Sequence, residues 1–114
     1  MERFPRARRL ARPSDIRHCL QHGRRFRTEH LEVIWVENTA GHPRMGLIVP
    51  RFQSSAVARN RLRRRLREIW RREVLPAQPP WDVLVRTRPS AYRVGFRDLR
   101  DQLVLWRTTV LSGG

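Results

Sequence analysis

Residues 54–72 read SSAVARNRLRRRLREIWRR. Leu62, Leu66, Ile69 and Trp70 fall at i, i+4, i+7 and i+8, the spacing of a single apolar stripe on an α-helix. Ser54 or Ser55 suits the N-cap, where a hydroxyl accepts from an otherwise orphaned N–H. The run PAQPP at 76–80 ends the helix, because proline removes a donor and clashes with the preceding turn. The rest of the helix surface is arginine. Arg59, Arg63 and Arg67 are spaced by four along one side, and Arg61, Arg64, Arg65, Arg71 and Arg72 fill most of the remaining arc. Like charges at i,i+4 each cost roughly a few tenths of a kcal/mol. The helix dipole favours acids in the first turns, where Arg59 and Arg61 stand instead. An ordinary solvated helix face mixes signs. This one accepts repulsion, and an anionic partner would relieve it.

The whole chain carries the same bias. Of 114 residues, 25 are basic and 10 acidic, a formal net charge of +15, and every basic residue outside histidine is arginine. Genome composition can account for the missing lysine, but not for the surplus of positive charge. A nucleic acid fits that surplus better than an anionic membrane does. Asn60, between Arg59 and Arg61, adds an amide that can address a sugar hydroxyl or a base edge while its neighbours hold phosphates.

Outward from this helix, residues 1–12 form a basic N-terminal arm, expected to be disordered or ordered by a partner. Residues 13–114 make one RNA-binding domain. Pro13-Ser14-Asp15 starts a short helix with Ser14 as N-cap, Ile16, Cys19 and Leu20 on one face, and Gly23 as the stop. LEVIWVEN (31–38) and RMGLIVP (44–50) are strands, and NTAGHP between them suits a hairpin turn with positive φ at Asn38 and Gly41. The first strand is apolar on both faces, so it is expected to be covered on both sides. WDVLVRTR (81–88) is a third strand. A last helix begins near Gly95, with Phe96, Leu99, Leu103, Trp106 and Val110 on one face. The element order is α-β-β-α-β-α, an α/β (α+β) sandwich built on a small mixed sheet.

Chemistry of its own is hard to find. Cys19 is the single cysteine, which excludes an internal disulfide and suits a reducing cytoplasm. His18 and His22 flank it at i,i+4 but lack a third ligand, and the acids are scattered, so no metal site and no catalytic residue are assigned. His30 and His42 are expected on exposed loop or strand positions. Trp70 and Trp106 lie on apolar stripes and are assigned to the core. Nothing reaches membrane-spanning length, and the basic N-terminus is not followed by a secretory apolar stretch. Zinc-finger spacing, a leucine zipper, a helix-turn-helix and the aromatic RRM pattern are all missing. Structured RNA remains as the partner, read through phosphates and shape.

The stretch Ala56, Val57, Arg59, Asn60, Arg61, Arg63, Arg64, Arg67 and Trp70 resembles the signature of the bacterial ribonuclease P protein component. SDIRHCLQHGRRF, RMGLIVPR and DVLVRTRPSA resemble that family's first helix, the strand before its signature and its third strand. The resemblance implies a ribosomal protein S5 domain 2-like fold with a left-handed β-α-β crossover. It implies the protein subunit of an endoribonuclease that removes the 5′ leader of precursor tRNA, with hydrolysis by the catalytic RNA and its Mg2+ ions. The implied partners are that catalytic RNA and precursor tRNA, with no membrane, no obligate protein partner and a cytoplasmic site of action. By position, Arg51, Arg59, Asn60, Arg61, Arg63, Arg64 and Arg67 would bind the RNA. Ile16, Leu20, Phe26 and Ile34 would line the leader cleft, with aliphatic residues at 16 and 20 where the family often has aromatics. The alternative is a structural RNA-binding protein of the ribosome, and a conventional protein nuclease is disfavoured.

Overall fold

In the computed structural model, which describes residues 8–111, four strands form one sheet and six helical segments pack around it. Helix α1 (Pro13–His22) leads into β1 (Arg24–Arg27), β2 (Leu31–Glu37) and β3 (Arg44–Ile48). Helix α2 (Ala56–Ile69) widens into a π turn over Trp70–Val74 and tightens into a 3-10 turn at Leu75–Ala77. Strand β4 (Trp81–Thr87), a 3-10 turn (Pro89–Arg93) and α3 (Phe96–Val110) complete the chain.

The sheet order is β1-β2-β4-β3. Strand β2 pairs antiparallel with both β1 and β4, while β3 and β4 run parallel, joined through α2. The sheet is mixed, as expected. The central strands alternate between two cores. Leu31, Val33, Trp35, Val83 and Val85 face α2 and α3, and pack on Leu62, Leu66, Ile69, Trp70, Leu99, Leu103 and Trp106. Ile34 and Leu84 face the other way, onto Cys19 of α1 and Leu10. Burial on both faces explains why these strands read as nearly continuous apolar runs.

Strand β1, RRFR, escaped the reading because three of its four residues are arginines, so the order is α-β-β-β-α-β-α. Strands β2 and β3 do not form a hairpin, since β4 inserts between them. Gly41 does take positive φ, at 79°, but Asn38 does not. Its side chain bridges instead, donating to His42 O at 3.0 Å and to Asp82 Oδ1 at 2.9 Å. Ser14 is no cap, because Pro13 occupies the first turn and Arg12 holds the cap position without a side-chain bond. The arm is packed in part. Arg9 bridges Met45 in parallel register, Leu10 donates its N–H to Met45 O at 3.0 Å, and Leu10 is buried. Residues 1–7 of the arm lie outside the described residues.

Two glycines are set by proximity. At Gly23 a Cβ would fall onto the Cys19 carbonyl oxygen and 2.8 Å from Ile34 Cγ2, so glycine lets α1 turn directly into the sheet. At Gly46 a Cβ would sit 2.6 Å from Leu10 O and 3.0 Å from Leu84 Cδ2, so glycine lets the arm lie on β3.

Candidate nucleic-acid interface

The arginine helix is fixed from its buried side. Ser55 caps it, its hydroxyl accepting from Ala58 N at 3.1 Å. Leu62, Leu66 and Ile69 are buried against the sheet and α3. Beyond them Trp70 donates its indole N–H to Gln78 Oε1 at 2.7 Å, and Gln78 donates in turn to Trp81 O at 2.9 Å. This satisfied chain ties the end of the helix to β4, so the opposite surface is presented on a rigid element.

That surface carries Arg59, Asn60, Arg61, Arg63, Arg64, Arg65 and Arg67. Asn60, Arg61 and Arg64 are exposed, and the others are half-buried along their stems. The two flanks of the helix differ. Asn60, Arg63, Arg64 and Arg67 line an open groove with Val57. Arg63 and Arg67 also line a second groove with Arg9, Leu10, Ile16 and Leu47, so the cationic surface runs from α2 over the edge of β3 to α1. On the far flank Arg61 and Arg65 border a small crevice with Tyr92. Arg59 turns inward, donating from Nε to Val49 O at 3.2 Å. Arg51 lies exposed in the turn before the helix and donates to Ser54 O at 3.3 Å.

Glu68, Glu73, Asp82 and Glu32 are engaged elsewhere. Glu68 takes Arg71 at 2.7 Å and Arg72 at 2.6 Å. Glu73 takes Arg100 at 3.0 Å and Arg107 at 3.2 Å. Asp82 takes Arg44 at 2.8 Å, and Glu32 takes Arg25, Arg27 and Arg86. Among the described residues, none of Arg59, Arg61, Arg63, Arg64, Arg65 and Arg67 has a carboxylate within 4.0 Å. The repulsion is visible at Arg67. Burial, then the charges of Arg9 and Arg63, hold its guanidinium below the usual arginine range. Among the described residues, no carboxylate neutralises the ridge from within.

The expected cleft residues are only partly brought together. Ile16 and Leu20 pack at the rim of the smaller core, where Ile34 is wholly buried. Phe26 is on the opposite face. It pairs with Val33 and packs on the larger core, because β1 alternates and it is Arg25 and Arg27 that face α1. Reading the sequence also missed a cluster on the α1 face of the sheet. Glu32, 5% exposed, receives Arg27 Nε at 2.8 Å, Arg86 Nη1 at 3.2 Å and Arg25 Nη1 at 3.3 Å. Burial raises the Glu32 carboxyl, but the Arg27 bond and the charges of Arg86 and Arg25 outweigh it, so its pKa lies below the ordinary value. Three cations around one anion leave a net positive patch beside Ile16 and Leu20. The signal was the alternation of charge in RRFR and LEVIWVE, which becomes legible once β1 is a strand.

Other side chains have structural assignments. Burial, chiefly, pushes the Cys19 thiol up to about 12, so it is neutral at ordinary pH and serves the core. His30, expected to be exposed, is buried, with Nδ1 2.7 Å from Ser90 Oγ. The His18 and His22 rings meet tilted by 42°, with centroids 4.8 Å apart. Among the described residues no three His, Cys, Asp or Glu side chains gather as a metal site, and no helix is long and apolar enough to cross a membrane. Trp70 and Trp106 are core residues, as expected, and Trp35 joins them edge-on to Trp106 at 5.6 Å.

Comparison with known proteins gives one consistent answer. The family model described as Ribonuclease P matches residues 4–110. The chain is 34% identical over 103 residues to the ribonuclease P protein component of Syntrophobacter fumaroxidans, covering 90% of this chain and 87% of that one. It is 36% identical over 95 residues to the corresponding protein of Mycobacterium bovis, covering 83% and 82%. Among solved structures it is similar to the RNase P protein from Thermotoga maritima, with a TM-score of 0.79 and 27% identity over 90% of this chain and 96% of that one.

Proposed function

The chain belongs to the ribonuclease P protein family, and on that premise we propose that it is the RNA-binding subunit of ribonuclease P, assisting removal of the 5′ leader from precursor tRNA in the cytoplasm. The observation that carries this reading is the division of the arginines. Those on α2 from Arg59 to Arg67 have no carboxylate partner among the described residues, whereas Arg44, Arg71, Arg72, Arg100 and Arg107 do. Arginine forks bind phosphate oxygens in pairs, so an unpaired row on a rigid helix is a surface for the backbone of a folded RNA.

In this reading Arg51, Asn60, Arg61, Arg63, Arg64 and Arg67 contact the catalytic RNA. Arg59 shares its donors with the Val49 carbonyl and so also locks the helix to β3. The groove from Arg63 and Arg67 past Ile16 leads toward the sheet face with Arg25, Arg27 and Arg86. A single-stranded leader following it would meet apolar side chains at Ile16 and Leu20 and phosphate-binding arginines beyond them. Mg2+ held by the RNA would support hydrolysis. The protein's part is to neutralise phosphates, stabilise the folded RNA and favour precursor over mature tRNA.

The test is reconstitution. The protein is mixed with a bacterial catalytic RNA at low Mg2+, and precursor-tRNA cleavage is followed. Stimulated cleavage is expected. No stimulation overturns the reading, cleavage without RNA makes the protein itself a nuclease, and co-sedimentation with ribosomes in place of stimulation favours the structural alternative.

A further inference from the structure

Immediately before α2 the chain makes a turn that bulky residues rarely make. Phe52 has φ 46° and Gln53 φ 74°, two consecutive non-glycine residues in the left-handed region. Such a conformation persists only where its surroundings hold it, and it concentrates at functional positions. Here they do hold it. Ser54 N donates to Arg51 O at 2.7 Å, closing the turn, and Arg51 Nε donates back to Ser54 O. Ser55 fixes the following residue as the cap of α2. Tyr92, from the segment after β4, donates its hydroxyl to Pro50 O at 2.7 Å. Its ring meets Phe52 edge-to-face, with centroids 6.5 Å apart and planes at 84°.

The turn does not bury Phe52. The residue is 43% exposed, one of three large apolar side chains exposed among the described residues. A strained backbone and an aromatic clamp therefore hold a phenyl ring out toward solvent. Its surroundings are cationic. Arg51 is its exposed neighbour in sequence, and Tyr92, which clamps it, shares a crevice with Arg61 and Arg65. A fixed exposed ring among unpaired arginines has the chemistry of a base-stacking platform, in which the ring takes a nucleobase and the guanidinium groups take the flanking phosphates.

We propose that Phe52 stacks on an unpaired nucleobase of the RNA that docks on α2, with Tyr92 and the left-handed turn serving to position its ring. This rests on the RNA-binding reading above. It adds to that reading a contact with a base, which the arginine ridge does not supply.

Stacking and charge pairing separate in a salt titration, because only phosphate neutralisation changes the slope of log K against log salt. The full chain and its variants F52A, F52L and F52Y are titrated with a bacterial catalytic RNA at several KCl concentrations. Thermal unfolding of each variant confirms that it is folded. F52A and F52L are expected to bind about 5- to 100-fold more weakly with the wild-type slope, while F52Y keeps the affinity. Wild-type affinity in F52A, or full rescue by the ringless F52L, overturns the stacking assignment while leaving the ridge reading intact. Failure of the wild-type chain to bind the RNA takes down both.

Discussion

Arg44 closes on Asp82 as a two-pronged fork, Nε to Oδ1 at 2.8 Å and Nη2 to Oδ2 at 2.9 Å, across the parallel pair β3 and β4. Asp82 is 3% exposed and also accepts from Asn38. Removing one partner of a buried pair leaves the other uncompensated, at about 3–5 kcal/mol for full burial, but without Asp82 the Arg44 guanidinium still has the Asp15 carboxylate at 3.4 Å. Arg44 keeps some contact with water, with its side chain 20% exposed, which places D82A nearer 2–3 kcal/mol. Chemical denaturation of D82A should show this loss of stability. RNA affinity measured below the unfolding transition should keep its wild-type salt slope, because this arginine belongs to the fold and not to the ridge. A D82A protein as stable as wild type would sink the assignment.

Gly46 marks the contact between the arm and the sheet. A methyl group there meets the Leu10 backbone oxygen at 2.6 Å, and backbone cannot swing aside as a flexible side chain can. G46A should therefore lift residues 9–12 from β3, breaking the Leu10–Met45 bond and exposing Leu10. Overpacking and the lost burial together amount to about 1–3 kcal/mol. Limited trypsin digestion followed by mass spectrometry should show cleavage of the Arg9–Leu10 bond earlier than in wild type, Arg12 being protected from trypsin by Pro13. An unchanged digestion order would mean that the arm does not depend on this glycine.

Glu32 gives a pH signature. Its folded pKa lies below its unfolded value of about 4.3, despite burial. The carboxylate therefore contributes stability that is fully present above pH ~4.3 and is lost as pH falls through the folded value. E32Q cannot titrate there and leaves Arg25, Arg27 and Arg86 facing one another. At pH 7 it should be less stable than wild type by about 1.5–3 kcal/mol, the value of hydrogen bonds to a charged group. The gap should close in acid, as wild type loses its carboxylate. Parallel stability curves across that range would show that Glu32 is not what organises the three arginines.

How much of this was legible in the sequence depends on which periodicity each element shows. Helix α2 was readable because Leu62, Leu66, Ile69 and Trp70 repeat at helical spacing against an otherwise cationic surface, and the same pattern holds in α3. Strands β2 and β4 were readable as apolar runs, but their pairing was not. Sequence neighbours suggested a hairpin, whereas β2 and β3 each bond to β4, whose segment lies beyond α2. Strand β1 was hidden because Arg25 and Arg27 point to the α1 face and find Glu32 there, so an ion cluster around a buried carboxylate took the place of apolar alternation. Phe26 was assigned to the cleft by resemblance alone, and its face follows from the register with Val33, which is legible only once β1 is a strand. The left-handed turn at Phe52 and Gln53 leaves no trace in composition, since neither residue is one that favours such φ values.

The last prediction separates two kinds of arginine on one continuous helical segment. Arg61 and Arg64 are exposed and have no carboxylate partner among the described residues. Arg71 and Arg72 share Glu68, at 2.7 and 2.6 Å, one turn further on. Each phosphate contact on RNA adds roughly 0.7–0.9 to the steepness of log K against log salt. The double variant R61A/R64A should therefore flatten the slope by about 1.4–1.8 and weaken binding to the catalytic RNA at low salt. R71A/R72A removes the same formal charge but leaves Glu68 free, so its effect at a distance is partly electrostatic and its slope should change by less than about 0.7. Thermal stability should move little in either case, because solvent screens exposed ion pairs. Equal slopes for the two double variants would mean that overall charge, and not the unpaired ridge, sets the affinity.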